Sequence, residues 1–186
     1  KRGHITPKHW KIIRDRIRED EHLKIIELCY EFGLRRSEAL ALSVDKNMYI
    51  DNLLIKEQVK SLDYTEAPPR RILKPTKTGE PRRISYDSSI NDLSAKEVED
   101  IIRTAVTISP NQLTKKWRKL QSELGFEYDI HDCRHSFARN IVQKLDIKQA
   151  MEYLGHLSIQ TTNGYIQSKD EQSNEKYKPN HLNQAA

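Results

Sequence analysis

Apolar residues recur at the three- and four-residue spacing of amphipathic helices along most of the chain, apart from a stretch near its middle. The clearest stripe consists of Val98, Ile101, Ile102, Ala105 and Val106. This spacing predicts a helix with one face packed on a core.

The N-terminal stretch carries a helix start signal. Thr6 has a side chain of the type that caps helices, and Pro7 suits the first helical position because it has no N–H to leave unbonded. Trp10, Ile13 and Ile17 then fall on one helical face. These residues predict a first helix with a buried apolar side.

Two further helices are predicted next. One is expected over residues 21–32 and ends at Gly33, because glycine readily adopts the left-handed conformation that stops a helix. Ser37 is then a candidate cap for a short helix, "SEALAL", whose Leu40 and Ala41 would face inward.

The pattern changes between residues 47 and 86. "MYIDNLLIKEQVK" has two β-prone runs around Asp51-Asn52, which is a hairpin signal. "RRILKPTKTGEPRRISY" repeats this arrangement, with residues 78–81 as the predicted turn between two strands. We expect a small antiparallel β-sheet of about three strands here, with "SLDYTEAPP" as a loop.

The C-terminal half is predicted to be helical. Pro110 begins "PNQLTKKWRKLQSELG", followed by "IHDCRHSFARNIVQKL", "IKQAMEYLG" and "SIQTTNGYI". The residues after Ser168 are polar and lack periodicity, so they are expected to form a flexible tail or an arm that docks elsewhere. The predicted fold class is α+β, mostly helical with one small sheet.

Composition fits a single domain with a strongly solvated surface. The chain has 186 residues, 32% of them charged, and its periodic apolar groups argue against disorder. The formal net charge of +5 and the pI of about 9.1 are compatible with a polyanionic partner but do not identify one.

Cysteine usage and hydropathy indicate a compartment. Cys29 and Cys133 are too few for a disulfide framework, which points to a reducing environment. No apolar run approaches membrane-spanning length, and the first residues lack a signal-peptide core. We therefore expect a cytoplasmic protein without membrane association.

The first candidate motif is "GLRRSEALAL". Arg35 emerges where one helix ends and the next begins, and Glu38 could hold its guanidinium by a bidentate contact. Taken alone, this motif is more typical of a surface Arg–Glu pair that closes a turn between two helices.

The second motif is "HDCRHSFA". His131 and Arg134 are three positions apart, so a helix would place them on one face, with Phe137 and Ala138 anchoring that helix in the core. His131 and His135 also have the spacing of a zinc pair, but no acidic residue occupies the general-base position and Arg134 would repel a cation.

The third motif is "LGHLSIQTTNGY". His156 follows Gly155 at a predicted helix end, and Tyr165 lies nine positions further along. A capping histidine and a packed tyrosine would explain these two residues separately. Together, the three motifs combine arginines, histidines and a hydroxyl, which indicates a phosphodiester site without a carboxylate cluster to hold magnesium.

These three motifs resemble the Arg, His-x-x-Arg and Leu-Gly-His…Tyr motifs of the tyrosine recombinase (phage integrase) family. They occur in the family's order with compatible spacing, from residue 33 to residue 165. The resemblance implies that the catalytic residues are Arg35, Lys77, His131, Arg134, His156 and the nucleophile Tyr165. It also implies cleavage and rejoining of DNA strands through a covalent 3′-phosphotyrosyl intermediate, without a metal or other cofactor.

Two positions qualify the resemblance. The family's lysine lies in a β-hairpin, where "TKTGEPRR" places Lys77, and Lys74 is a nearby competitor. Cys133 occupies a position where the family more often has an aliphatic residue, which is a conservative change.

The resemblance further implies an organisation and partners. Residues 1–6 are expected to be a linker from an absent N-terminal DNA-binding domain, residues 7–167 the catalytic domain and residues 168–186 a possible assembly arm. The implied partners are double-stranded DNA and further copies of the chain, as a tetramer on paired DNA sites. The alternatives are a type IB topoisomerase, a non-enzymatic DNA-binding module with basic segments such as "TKKWRK", and a helical scaffold.

Overall fold

The computed structural model of the chain describes residues 3–155. The assigned elements in this range are α1 (Pro7–Arg18), α2 (Ile26–Glu31), α3 (Arg36–Ala39), α4 (Val44–Asn47), β1 (Asn52–Ile55), β2 (Glu57–Asp63), β3 (Arg70–Pro75), β4 (Arg82–Ser85), α5 (Ala95–Thr104), α6 (Pro110–Leu124), α7 (Ile130–Lys144) and α8 (Ile147–Leu154). This is the predicted α+β arrangement, mostly helical with a small β region.

The first helix forms as predicted. The Thr6 hydroxyl accepts a hydrogen bond from the His9 backbone N–H at 3.3 Å, and α1 begins at Pro7. Trp10, Ile13 and Ile17 are buried in the core. The cap and the apolar stripe are local features, so the sequence alone was enough to predict them.

The segment before α1 is docked rather than extended into solvent. Ile5 is buried, and its backbone N–H donates to the Ser136 hydroxyl on α7 at 2.8 Å. His4 lies 3.2 Å from an Arg139 guanidinium nitrogen on the same helix. The last residues of the predicted linker therefore pack against the helix that carries His131 and Arg134.

The second and third helices start at positions other than those predicted. Helix α2 begins at Ile26 because residues 21–25 form turns, although it does end just before Gly33, which has a φ of +62°. Helix α3 is capped by Arg35 rather than by Ser37, which lies inside the helix. Since the Glu38 side chain accepts the Arg35 backbone N–H, the helix starts two residues early.

The strands form one long hairpin interrupted by a loop. Strand β1 pairs antiparallel with β4, and β2 pairs antiparallel with β3. Because β1 leads almost directly into β2, the hairpin turns at residues 64–69, and residues 76–81 form a loop between β3 and β4. This loop carries Lys77 on its exposed side.

The predicted strand pairing was therefore partly wrong. Residues 78–81 do lie in a connection, but its flanking strands pair with β2 and β1. Residues 3–155 contain four strands rather than about three. Around Asp51, Tyr49 donates its N–H to the Asn52 carbonyl at 2.9 Å, and the preceding run contributes a single bridge, Met48 to Leu53. Pairing across tens of residues leaves no local signal in the sequence.

The long C-terminal helices follow the predicted pattern. Helix α6 starts after Ser109, whose hydroxyl accepts the Gln112 N–H at 3.2 Å. Phe137 and Ala138 anchor α7 in the core, as expected. Val106, which was expected on the stripe of α5, instead lies beyond the end of that helix and is 41% exposed.

The packing of the helices brings three separate parts of the chain together. Helix α7 packs against α2 and α8, and α8 packs against β4. The start of α3, the interior of α7 and the end of α8 therefore meet in one region. The predicted helix "SIQTTNGYI" and the predicted tail lie outside the described residues. Within residues 3–155, no helix is both long and apolar enough to cross a membrane.

Gly33 offers a test of this packing. A Cβ at Gly33 would overlap the Phe137 ring, with Cε1 only 2.9 Å away, and the positive φ adds backbone strain. We expect Gly33→Ala to lower the free energy of unfolding by about 2–4 kcal/mol in urea titrations.

Gly79→Ala is the matched control, because Gly79 also has a positive φ but has nothing within 4 Å of an added Cβ. Its loss should be about 1 kcal/mol, the backbone term alone. Equal losses for both variants would contradict the close approach of Gly33 to Phe137.

Candidate active site

Two of the predicted site residues line one basic cavity. Arg35 at the start of α3 and His131 at the start of α7 both border a hollow of about 410 Å³. Arg36 and Arg118 contribute two more guanidiniums to the same wall, with Asp129 as the one acidic side chain. The cavity is therefore suited to bind an anion.

The cavity continues into a neighbouring groove of about 440 Å³. Arg36, Ser37 and Gln58 line both hollows, and the groove adds Lys60 and Lys74. The adjoining hollows form a polar track with cationic side chains along it. Such a track suits a chain of phosphates better than a single small anion.

The Arg36 side chain is fixed by the start of α6. Its Nη1 donates to the Pro110 carbonyl at 3.4 Å and also to the Thr114 hydroxyl. Arg36 is not one of the residues predicted for the site from the motifs. Its only sequence signal was its position next to Arg35.

Arg134 lies inside the protein, unlike His131. Its side chain is almost fully buried, and its Nη1 donates to the Gly33 carbonyl at 2.5 Å while Nη2 donates to the Leu154 carbonyl. Arg134 thus joins the turn before Arg35 to the end of α8. His131, by contrast, is exposed and lines the cavity.

His131 and His135 face each other, with ring centroids 4.4 Å apart in an edge-to-face arrangement. These are the two residues with the spacing of a zinc pair. Within residues 3–155, no group of three or more His, Cys, Asp or Glu side chains is arranged to hold a metal ion.

Glu38 connects the arginines. Its carboxylate is fully buried and accepts hydrogen bonds from the Arg35 backbone N–H at 2.9 Å and from Arg35 Nη1 at 2.7 Å. The sequence predicted Arg35 as the bidentate partner of Glu38. In the structure, that partner is Arg82 at the start of β4. Arg82 Nη1 and Nη2 lie 3.2 Å and 2.7 Å from the two Glu38 oxygens.

The charges around Glu38 determine its protonation. Burial by itself would raise the pKa of Glu38, but Arg82, then Arg35 and Arg134, lower that pKa to about 2. Glu38 is therefore ionised at neutral pH. Three guanidiniums surround one carboxylate, so this part of the site keeps a net positive charge.

The remaining residues predicted for the site either do not line the cavity or lie outside residues 3–155. Lys77 is exposed in the loop of residues 76–81 and does not line the cavity. Lys74, its competitor, is exposed on β3 and lines the neighbouring groove. His156 and Tyr165 lie outside the described residues, and the assignment of all six catalytic residues stays a prediction.

The ionised carboxylate of Glu38 should make the stability of the protein depend on pH in acid. Because its folded pKa lies below the ordinary value of 4.5, its stabilising effect is present above about pH 4.5 and is lost as pH falls towards 2. We expect this carboxylate to account for about 3 kcal/mol of the stability lost over that range in urea unfolding. Glu38→Gln should be less stable at pH 7 and should show a flatter pH dependence.

The matched control is Glu99→Gln, which breaks a surface pair with Arg103. This change should leave both the stability and its pH dependence close to those of the parent chain. A Glu38→Gln profile parallel to that of the parent chain would contradict the buried charge.

Comparison with known proteins links this chain to a family. The chain is 29% identical over 155 residues to tyrosine recombinase XerA of Pyrococcus furiosus, covering 82% of this chain and 50% of that protein. It is 27% identical over 145 residues to tyrosine recombinase XerC of Alcanivorax borkumensis, covering 76% of this chain and 46% of that protein. The chain thus spans about half the length of the curated relatives it matches.

Solved structures share the fold at low sequence identity. The Tn1549 transposon integrase in complex with a circular intermediate DNA matches with a TM-score of 0.62 and 18% identity, covering 89% of this chain and 61% of that one. The XerH site-specific recombinase bound to difH substrate matches with a TM-score of 0.62 and 17% identity, covering 91% of this chain and 50% of that one. The predicted integrase-like α+β fold is confirmed.

The phage integrase family model matches residues 11–172, a range that includes all three motifs. With that match over most of its length, the chain belongs to the phage integrase family.

Proposed function

We propose that the protein is a site-specific DNA recombinase that cleaves and rejoins DNA strands through a covalent 3′-phosphotyrosyl intermediate. One observation carries the proposal: Arg35 and His131, from distant parts of the chain, line one basic cavity. Arg134 does not line the cavity, but it joins the turn before Arg35 to the end of α8 through the Gly33 and Leu154 carbonyls. His156 follows that helix by two residues in the sequence.

DNA is the substrate that this surface fits. The cavity and the groove beside it present Arg36, Arg118, Lys60 and Lys74 in addition to Arg35. Cationic side chains along a groove bind successive phosphates and release counterions, so the affinity for DNA should fall steeply with salt. The relatives described as recombinases and integrases support DNA rather than another polyanion.

Arg35 is suited to hold the reacting phosphate. Among the described residues, only Nη1 of its guanidinium donates to a protein side chain, and the side chain is 22% exposed. Its other nitrogens can reach the non-bridging oxygens of a phosphodiester. A planar fork that stays charged at every working pH stabilises the negative charge that grows there as the nucleophile arrives.

The proposed cleavage step is a displacement at phosphorus. The Tyr165 phenol oxygen forms a bond to phosphorus as the bond from phosphorus to the 5′-oxygen breaks. The phenol has an ordinary pKa near ~10, so it needs help to lose its proton, and His131 is the candidate group to accept it. His156 would add a donor to the non-bridging oxygens. Each such donor can contribute roughly 3 kcal/mol in the transition state.

Lys77 is the proposed acid. It lies in the exposed loop that follows β3, and Lys74 on that strand lines the groove. Its ammonium would protonate the departing 5′-oxygen, so the products are a tyrosine-linked 3′-phosphate and a free 5′-hydroxyl. Attack by a second 5′-hydroxyl reverses these steps and needs no nucleotide triphosphate.

The assembly and the location are part of the same proposal. Rejoining between two DNA sites requires several active sites, so we propose a homo-oligomer, a tetramer on paired sites. The lambda integrase dimer bound to a core site supports assembly on DNA. We propose a cytoplasmic location, because a protein that acts on the DNA of a bacterial, archaeal or phage genome would meet that DNA in the cytoplasm. The domain limits 1–6, 7–167 and 168–186 stay predictions.

The nucleophile can be tested directly. Tyr165→Phe removes the one oxygen that would bond to phosphorus but keeps the ring. We expect covalent adducts with a nicked suicide DNA substrate to fall below detection on denaturing gels, with DNA affinity within about twofold of the parent chain.

Tyr153→Phe is a matched control, because Tyr153 is a nearby tyrosine on α8 that the proposal does not use. Its adduct should form normally and map to Tyr165 by mass spectrometry. Adducts that persist in Tyr165→Phe would overturn the assignment. Relaxation of supercoiled DNA without exchange between two sites would favour the topoisomerase alternative.

Metal dependence gives an independent test. Because guanidinium and ammonium groups are proposed to meet the charge of the phosphate, EDTA should leave the rate of adduct formation unchanged within about twofold. The measurement is single-turnover cleavage with and without the chelator. Loss of cleavage in EDTA, restored by added zinc or magnesium, would favour a metal site at His131 and His135 instead.

A further inference from the structure

We propose that Arg82 is a positioning residue of this active site. Its guanidinium orients Glu38, and through Glu38 it orients Arg35, while the same group holds the C-terminal end of α8. This inference rests on the proposed function, because it assigns Arg82 to the reaction that Arg35 would serve.

The donors of Arg82 are used inside the protein. Nη1 and Nη2 donate to the two oxygens of Glu38, at 3.2 Å and 2.7 Å, and Nε donates to the Tyr153 carbonyl at 3.0 Å. The Arg82 side chain is 6% exposed. A guanidinium with all three nitrogens bonded to protein and almost no exposure has little left to offer a substrate. Its role is therefore to hold other groups.

The contact with Glu38 transmits the effect of Arg82 to Arg35. A bidentate pair fixes both the place and the plane of a carboxylate. The carboxylate in turn accepts the Arg35 backbone N–H and Arg35 Nη1, so the start of α3 and the guanidinium are both anchored on it. Because a misplacement of 1 Å can slow a reaction about 100-fold, the orientation of Glu38 matters for catalysis.

Arg82 also supports the charge of Glu38. The charged or titratable groups that influence or are influenced by Glu38 are Arg35 before α3, Arg82 on β4, Arg134 on α7 and Cys29 on α2. Burial favours the neutral carboxyl, and the attraction of Arg82 is the largest influence that opposes it. Without Arg82, the pKa of Glu38 would rise, and a neutral Glu38 would hold Arg35 less firmly.

The contact with α8 reaches the segment that leads to His156. Tyr153 lies in the last turn of α8, and Gly155 ends the helix with a φ of +61°. A Cβ at Gly155 would lie 3.0 Å from Arg82 Cδ, so the Arg82 stem packs directly against the backbone there. Arg82 is also the first residue of β4, directly after the loop that carries Lys77. One side chain thus links three segments that carry proposed catalytic residues.

The test compares Arg82→Met, Arg82→Lys and the control Arg83→Met in the full chain. Arg83 is the next residue, is exposed, and contacts Asn52 and the Tyr49 ring away from Glu38. We expect Arg82→Met to form covalent DNA adducts about 100-fold more slowly, with DNA affinity within about twofold. Arg82→Lys should lose about tenfold, because it keeps the charge but not the fork. Arg83→Met should cleave at the parent rate.

A pH profile separates positioning from a purely structural role. The ratio of parent to Arg82→Met cleavage rates is measured from pH 5 to pH 7.5, which cancels titrations that both proteins share. This ratio should grow as pH falls, because Glu38 becomes protonated in the variant but stays ionised in the parent chain. The ratio for Arg82→Lys should stay flat, since a cation still faces Glu38. Urea unfolding of each variant shows whether it folds.

Each outcome decides the proposal. A folded Arg82→Met that cleaves at the parent rate overturns it, as does a loss that is the same at every pH and equal in Arg82→Lys. If Arg82→Met does not fold, Arg82→Lys decides: a tenfold loss supports positioning and an unchanged rate overturns it. If the parent chain forms no adduct, the proposed function fails and this role fails with it. If the parent chain forms the adduct and the Arg82 variants form it at the parent rate, the role of Arg82 is overturned while the proposed function stands.

Discussion

A buried negative charge organises this domain. Glu38 has no exposed side-chain surface, and burying an ionised carboxylate is unfavourable unless its oxygens are bonded to cations. The chain meets that requirement with Arg35 from the same helix end and Arg82 from β4, and with Arg134 from α7 nearby. The positions of α3 and β4 relative to one another are therefore tied to a single carboxylate, whose charge Arg134 on α7 also stabilises.

The same cluster divides the arginines by role. Arg82 and Arg134 are buried, and their donors hold a carboxylate and the backbone carbonyls of Gly33, Tyr153 and Leu154. Among the described residues, only Nη1 of the Arg35 guanidinium donates to a protein side chain, and Arg35 borders the cavity with His131. A preorganised positive site needs this arrangement, because groups already fixed by protein contacts cost no reorganisation when negative charge develops. The surplus of cation over anion around Glu38 is what leaves the cavity attractive to a phosphate.

Local signals in the sequence predicted the elements that depend on neighbouring residues. Thr6 and Pro7 started α1 where expected, and the start of α6 at Pro110 was also correct. Elements whose limits depend on distant partners were predicted less well. The cap of α3 moved to Arg35 because Glu38 bonds to its backbone, and the strands around Lys77 paired with β2 and β1 rather than with each other. No periodicity encodes which strand lies beside which.

The sequence by itself determined the helical pattern, the basic character and the two motifs that mark Arg35, His131 and Arg134, because residue type and spacing are written in the chain. The sequence also contained a signal for Arg82 that the prediction did not use. Arg82 and Ile84 are two positions apart on the inward face of β4, and a charged side chain there needs a buried partner of opposite charge. Only the tertiary structure decided that Arg82 is the bidentate partner of Glu38 and that Arg36 and Arg118 share the cavity with Arg35. The physical reason is distance along the chain: a contact between residues 38 and 82 exists only after the core has folded and brought them together.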